Sequence, residues 1–343
     1  MKNKVHNKQV VRQIKGIDET LNNYTEINEW RQDKIVRVMT DHQKLNELHD
    51  SIIENTVKVA MKKVQSELGN PPAPFAFFLM GSAGRFEQSV LSDQDHGIIY
   101  QSHDESCQSY FLTLGAEITN GLSETGYELC DGQVMASNPL WCKSIRQWEE
   151  QIVDWMEDSS WKSLRHFSTF FDSRVMFGET SFLTEIKNYA FMILNEQPRL
   201  YKRLVENVDF VKKGIGVFGQ LLPEQYGEES GAIKLKQTTF FPYVNALRLL
   251  ALKENILEPS TLKRFEQLPV SLQSFQSYEK DFRRLLDFRL QHRKHAQSYK
   301  DVHLIQINSL NREEKQTLKQ LMKKGYKLFD ETKTIIEKEC STW

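Results

Sequence analysis

The feature that most constrains this chain is an apolar segment followed by a turn of small residues and then by two closely spaced acids. Residues 75–80 read Phe-Ala-Phe-Phe-Leu-Met, with three prolines just before them and Gly81 just after them. An apolar run of this length with these boundaries predicts a buried strand. The segment Gly-Ser-Ala-Gly-Arg-Phe-Glu begins at Gly81, and Ser-Asp-Gln-Asp begins at Ser92. The sequence therefore predicts a strand, a sharp turn and two acids as one local unit.

The turn has the residue types of a phosphate-binding loop. Glycines allow the backbone to turn sharply and bring main-chain N–H groups close to a ligand, and a serine hydroxyl can donate to an anionic oxygen. An arginine adds a positive fork that suits a triphosphate. Four residues are therefore predicted to bind phosphate, namely Gly81, Ser82, Gly84 and Arg85. A Walker loop is excluded because Lys and Ser or Thr do not follow Gly84. Glu87 and Gln88 are predicted as supporting residues, with Glu87 pairing with Arg85 and orienting it.

The two acids that follow the turn are predicted to bind metal. Asp93 and Asp95 are two residues apart, and a strand of period two puts both carboxylates on one face. Magnesium binds carboxylate and phosphate oxygens together, and a pair of metal ions can clamp the attacking and leaving oxygens of an in-line displacement at phosphorus. We therefore expect Mg²⁺ as cofactor, with Mn²⁺ as an alternative.

A third acid is expected from another strand, and Asp172 is the favoured candidate. It lies in the apolar and aromatic run from Phe167 to Gly178, where a lone carboxylate is costly unless it is paired or bound to metal. Its predicted role is to share a metal with Asp93 and Asp95, or to take the proton from an acceptor hydroxyl. The alternative is a structural residue that caps a turn or pairs with Arg174. Asp131 is held in reserve.

This set of groups predicts an enzyme that transfers a nucleoside monophosphate from an NTP to an acceptor hydroxyl and releases pyrophosphate. The competing hypothesis is a nucleotide-binding regulatory module that keeps the phosphate loop but has no turnover.

At these residues the chain resembles the polymerase-beta-like nucleotidyltransferase superfamily, whose signature is Gly-Ser followed some ten residues later by Asp-x-Asp. The narrower resemblance is to a bacterial family of nucleotidyltransferases related to the N-terminal domain of the uridylyltransferase that modifies the PII signalling protein. It rests on the two segments above, on residues 130–136, and on residues 170–174, which carry the third acidic position in that family. Residues 234–264 and 286–292 resemble its helical C-terminal substrate-binding domain.

The resemblance implies an α+β fold, in which a polymerase-beta-like core of a small mixed sheet and helices precedes an all-α helical bundle. It also implies an NTP substrate, a protein or small-molecule acceptor, and an activity like that of a uridylyltransferase or adenylyltransferase in signal transduction. The paired nucleotide-sensing modules that many relatives carry upstream do not fit into the short N-terminal piece. No His-Asp metal pattern follows residue 230, so no removal activity is expected.

The whole chain sets wider limits. Its 343 residues exceed one average domain, and its formal net charge of −1 favours neither nucleic acid nor an anionic membrane. Its four cysteines lack Cys-x-x-Cys spacing, and neither a signal peptide nor a membrane-spanning segment is recognisable. These features predict a cytoplasmic protein with reduced thiols that binds neither nucleic acid nor a membrane.

Helical periodicity organises the rest of the chain. We predict an N-terminal helical extension over 1–39, a catalytic domain over 40–178 and a helical substrate-binding domain over 179–343. In the last of these, Lys234, Lys236 and Arg248 are candidates for contacts in the cleft. The run from Arg289 to His295 is interpreted as a solvated helical face or as one turn that meets phosphate across the cleft.

Overall fold

The structure is a computed structural model that describes residues 21–340 except 103, 105, 210 and 211, with only the backbone of 339 and 340. The first twenty residues of the predicted N-terminal extension lie outside the described residues. The strands are β1 (Phe75–Leu79), β2 (His96–Tyr100), β3 (Cys142–Ser144), β4 (Arg174–Gly178), β5 (Ala232–Lys234) and β6 (Leu304–Gln306). The helices are α1 (Tyr24–Val38), α2 (His42–Leu68), α3 (Gly81–Gly84), α4 (Ser106–Glu124), α5 (Ile145–Asp158), α6 (Trp161–Phe171), α7 (Thr180–Glu196), α8 (Arg199–Val208), α9 (Phe241–Lys253), α10 (Thr261–Gln267), α11 (Glu279–Arg293) and α12 (Arg312–Cys340).

A four-stranded mixed sheet with strand order β3-β2-β1-β4 forms the first part of the fold. Strand β1 pairs antiparallel with β2 and with β4, while β2 pairs parallel with β3. All five residues of β1 are buried. Alternate side chains enter different cores, since Phe77 packs on one face of the sheet and Phe78 on the other. Burial on both faces explains why this segment is an uninterrupted apolar run.

Helices cover both faces of this sheet. The face with Phe77 packs against α2 and α4, and α2 is followed by Gly69, whose φ is +83°. The face with Phe78 packs against aromatic side chains of α5 and α6, including Trp148 and Phe170. Helix α7 contacts β1, β4 and α5. The α+β core predicted from the sequence is thus confirmed, and the boundary at residue 178 stays a prediction.

The remainder of the described chain is helical, as predicted. Helix α9 is almost wholly buried and packs against α8, α10 and α12. A two-stranded antiparallel sheet of β5 and β6 lies within this region and was not predicted. The segment from Lys236 to Phe240 adds a short π-helix that leads into α9. None of the helices in the described part of the chain is long and apolar enough to cross a membrane.

Two predictions of secondary structure were wrong. The run Phe167 to Gly178 is not one strand, because α6 occupies it up to Phe171 and β4 begins only at Arg174. Three phenylalanines of this run, Phe167, Phe170 and Phe171, are buried on one side of the helix, and polar residues occupy its outer side. The strand was predicted from the apolar content of the run, without regard to this helical spacing. The sequence also predicts a helix from Trp141 to Trp161, but this segment includes β3 and forms a helix only from Ile145 to Asp158 before α6 begins at Trp161.

Candidate active site

The turn after β1 is a single helical turn, α3, whose two glycines are required by what lies against them. Gly81 has φ +57°, and a Cβ atom there would lie 2.0 Å from Oδ2 of Asp95. A Cβ atom on Gly84 would lie 2.0 Å from the carbonyl oxygen of Asp172. The two ends of one four-residue turn therefore contact two different acids. The first N–H groups of such a turn have no partner within it and can donate to an anion.

The first acidic group lies at the Gly81 end of the turn. Asp93 forms an isolated bridge with Glu128, and the carbonyl of Asp95 accepts from the Met80 N–H, so extended backbone leads directly into β2. The potential ligand atoms of Asp93, Asp95 and Cys130 lie within 4.8 Å of one another, and all three residues are partly exposed. The expectation that both carboxylates share one face agrees with this geometry.

Electrostatics make this pair of carboxylates unfavourable without a cation. Burial, followed by repulsion from Asp93, raises the pKa of Asp95 to about 7. Burial also raises the pKa of Asp93, against the opposing effects of Lys236 and of a hydrogen bond from Tyr299. A divalent ion would relieve the repulsion between the two carboxylates.

Cys130 completes the group, and its thiol is protonated when no cation is bound. Burial and the negative charge of Asp95 raise the pKa of the Cys130 thiol to about 12. A protonated thiol is a poor metal ligand, whereas two carboxylates are the donors that Mg²⁺ and Mn²⁺ prefer. The residues therefore fit a hard divalent cation held by Asp93 and Asp95.

Asp172 lies at the other end of the turn, directly after α6, in a cluster of guanidinium groups. Its Oδ2 accepts from Nη1 of Arg85 at 2.8 Å and from Nη2 of Arg248 at 2.5 Å. Its Oδ1 lies 2.9 Å from Nη1 of Arg264. Burial alone would raise the pKa of Asp172, but Arg248, Arg264 and Arg85 outweigh it and hold the pKa well below its ordinary value. Among the described residues, Asp172 is not part of the group of potential metal ligands.

Arg85 connects the turn to this cluster. Its Nε donates to Oε2 of Glu87 at 2.8 Å, so Glu87 orients Arg85 as the sequence analysis expected. Phe86, between the two, has φ +58°, a left-handed conformation that a bulky residue adopts only under constraint. The Gln88 side chain donates to the Ser92 hydroxyl at 3.2 Å, and this contact links the turn to the segment that carries the acids.

The helical region reaches this site at several points. Nη2 of Arg289 donates to the carbonyl of Glu87 at 2.7 Å, and Arg289 is buried, so Arg289 does not belong to a solvated face, whereas residues 291–295 are partly or fully exposed. The Lys236 ammonium donates to the Tyr299 hydroxyl at 3.2 Å, and both lie near Asp93. Lys234, by contrast, pairs with Glu229.

Four residues of this site were not predicted from the sequence. Arg264 and Cys130 lie within segments that carried the family resemblance, and a search for charged or ligating side chains in those segments would have found them. The other two are Glu128 and Tyr299. The backbone N–H of Tyr299 donates to the Glu128 carboxylate at 2.8 Å. No signal in the sequence distinguishes them, because their proximity to Asp93 depends on tertiary contacts. The reserve candidate Asp131 is exposed and lies outside the group of potential ligands among the described residues.

Comparison with known families agrees with this site. Residues 27–162 match the family described as "Putative nucleotidyltransferase DUF294", and residues 198–334 match the family described as "Putative nucleotidyltransferase substrate binding domain". No curated protein matches the chain. The first match covers the turn and the acids Asp93 and Asp95, while the second covers Arg248, Arg264 and Tyr299. The chain therefore belongs to this family of nucleotidyltransferases and carries its substrate-binding domain.

Proposed function

We propose that this protein is a Mg²⁺-dependent enzyme that moves a nucleoside monophosphate from an NTP to an acceptor hydroxyl and releases pyrophosphate. The observation that carries the proposal is the contact between the Asp95 carboxylate and the left-handed Gly81 of the Gly-Ser turn. It brings a carboxylate pair suited to a divalent ion against a turn suited to phosphate. Mn²⁺ is an alternative to Mg²⁺.

Asp93 and Asp95 hold the metal in this proposal. When bound, a divalent ion supplies positive charge to the phosphate oxygens and favours loss of the proton from the acceptor hydroxyl. The N–H groups of α3 and the Ser82 hydroxyl donate to the triphosphate, and Gly81 and Gly84 allow Asp95 and Asp172 to lie directly against the turn. The partly exposed Arg85 guanidinium adds positive charge where charge develops during transfer.

We assign to Asp172 the role of holding Arg85 and Arg248 in place rather than that of a third metal ligand. This is supported by its contacts, because both of its oxygens face guanidinium groups and its side chain is fully buried. Three guanidinium groups share two carboxylates, Asp172 and Glu87, and the cluster therefore carries a surplus positive charge beside the turn. A triphosphate would compensate that charge.

The acceptor is proposed to enter where the helical region meets the acidic pair, near Lys236. The family resemblance favours a protein hydroxyl, with a uridylyl or adenylyl group transferred in a signalling system. A small-molecule acceptor is the alternative.

The experiment is to incubate the protein with each α-labelled NTP, Mg²⁺ and a lysate of its own cell, and to follow label into protein, RNA and low-mass material. Labelling of one fraction with one preferred NTP is expected. The Asp93→Asn, Asp95→Asn double variant should lose this transfer while its circular dichroism spectrum stays that of the wild type. Asp154→Asn, which removes an exposed carboxylate of α5, serves as the matched control.

Retained transfer in the double variant would refute the assignment of the acids. Stabilisation by Mg-NTP without label transfer or pyrophosphate release in any fraction would instead indicate the regulatory module that binds nucleotide without turnover.

A further inference from the structure

The segment between α11 and β6 brings a tyrosine of the helical region to the acidic pair. The backbone of Tyr299 is fixed there, because its N–H donates to the Glu128 carboxylate at 2.8 Å. The backbone of Glu128 in turn pairs with that of Asp93 in an isolated β-bridge. The carbonyl of Glu128 also accepts from the Gln94 N–H, between the two acids. Tyr299 is therefore attached to the same piece of backbone that positions Asp93 and Asp95.

The phenol ring is held so that its hydroxyl lies at the predicted metal site. Lys236 donates to the Tyr299 hydroxyl at 3.2 Å, and its ammonium lies 5.6 Å from the centre of the ring. The His303 ring packs against the Tyr299 ring with its centre 5.7 Å away. The hydroxyl also lies close to the carboxylates of Asp93 and Asp95. Tyr299 is only partly buried, as are Asp93 and Asp95.

We propose that Tyr299 is a site of self-nucleotidylation, in which the protein transfers a nucleoside monophosphate to its own phenol. This rests on the proposed function, since an acceptor hydroxyl must lie beside the metal-binding carboxylates and Tyr299 already does. Effective molarities of well-oriented intramolecular reactions reach about 10⁵ M or more, so a hydroxyl fixed at this point is favoured over free acceptors.

The transfer step balances without another reactant. The Tyr299 oxygen forms a bond to the α-phosphorus of the NTP while the bond from that phosphorus to the oxygen bridging to the β-phosphate breaks. Pyrophosphate leaves with the electron pair of the broken bond. The phenolic proton is released to water as the new bond forms. The product is a phosphodiester between Tyr299 and the nucleoside.

The test is mass spectrometry of the full chain after incubation with each NTP and Mg²⁺ or Mn²⁺. We expect a mass increase of one nucleoside monophosphate, mapped by fragmentation to Tyr299, at a first-order rate that does not depend on protein concentration. Tyr299→Phe should lose the label. Tyr226→Phe is the matched control, because Tyr226 is 86% exposed on a loop of the helical region, and it should keep the label. The Asp93→Asn, Asp95→Asn variant should lose it.

The outcomes separate this inference from the proposed function. Transfer of label into the lysate without any label on Tyr299 would overturn self-nucleotidylation and leave the proposed function standing. Equal labelling of the wild type and of Tyr299→Phe, or a rate that rises with protein concentration, would overturn it as well. Transfer neither to Tyr299 nor to the lysate would overturn both. A circular dichroism spectrum and a melting temperature of Tyr299→Phe equal to those of the wild type would show that its lack of self-label is not caused by unfolding.

Discussion

Two charge clusters lie at the two ends of α3, and they are opposite in character. At the Gly81 end, Asp93 and Asp95 repel one another, and burial and repulsion raise the pKa of Asp95 to about 7. At the Gly84 end, burial opposes the ionisation of Asp172, but three guanidinium groups overcome it and lower its pKa. The first cluster has a surplus of negative charge, although Lys236 lies near it, and the second has a surplus of positive charge.

The comparison shows that residue type does not decide the role of a carboxylate. Aspartates at both ends contact the same short turn, but their neighbours prepare one end for a cation and the other for an anion. A metal ion with a bound triphosphate carries both kinds of charge in one ligand. The turn between the clusters is therefore suited to hold such a ligand along its length.

The largest expected difference is that removing an acid should destabilise the protein at one cluster and stabilise it at the other. Asp172→Asn should lower the free energy of unfolding by about 3–5 kcal/mol, because it leaves buried guanidinium groups without their counterion. Asp95→Asn should raise it by about 1–3 kcal/mol at pH 8 without metal, because it removes a repulsive charge. Urea denaturation of both variants beside the wild type measures this. Destabilisation of both to the same extent would abolish the distinction.

Divalent metal should sharpen the contrast. A saturating excess of Mn²⁺ at about 100 times its dissociation constant should stabilise the wild type by about 2.7 kcal/mol. Asp172→Asn should keep this increment and Asp95→Asn should lose it, as followed by thermal melting with and without EDTA. If Asp172→Asn also lost the increment while it remained folded, Asp172 would be a metal ligand, as the sequence analysis first predicted.

The two acids should also differ in the pH range over which they affect stability. The pKa of Asp95 is raised from 3.8 to about 7 in the folded protein. Between these two pH values, Asp95 is therefore protonated in the native state and ionised in the unfolded state. The free energy of unfolding should therefore fall as the pH rises through this range, by up to about 1.4 kcal/mol per pH unit, and the advantage of Asp95→Asn should grow.

Asp172 has a lowered folded pKa, so its contribution is present above about pH 3.8 and is lost as the pH falls below that value. Its variant should show a constant deficit from pH 5 to 8 that shrinks only in acid. Denaturation in EDTA at a series of pH values tests both statements. An advantage of Asp95→Asn that stays flat between pH 4 and 7 would mean that Asp95 is not protonated in that range.

Groups that lie close together in the sequence could be predicted to form a site, whereas contacts between distant segments of the chain could not. The spacing of Asp93 and Asp95 after an apolar strand predicts a carboxylate pair, because period two and the preceding turn act within twenty residues. Asp172 was recognised as costly to bury, but the arginines that compensate it come from 85, 248 and 264. Only the fold brings these segments together, so a pairing with Arg174 was considered instead. The same holds for Tyr299.

The smallest effect should come from exchanging one cation for another at the junction of the clusters. Arg85→Lys keeps the charge but cannot bond to Glu87 and Asp172 at once, because an ammonium lacks the planar fork of a guanidinium. We expect the KM for the NTP to rise about tenfold, which is about 1.4 kcal/mol, while the affinity for Mn²⁺ without nucleotide stays that of the wild type. Steady-state kinetics and Mn²⁺ titration measure the two quantities.

Arg146→Lys, at an exposed ion pair on α5, controls for the substitution itself. A weaker Mn²⁺ affinity in Arg85→Lys would show that the two ends of the turn do not act separately, since a change at the cationic cluster would then alter the anionic one.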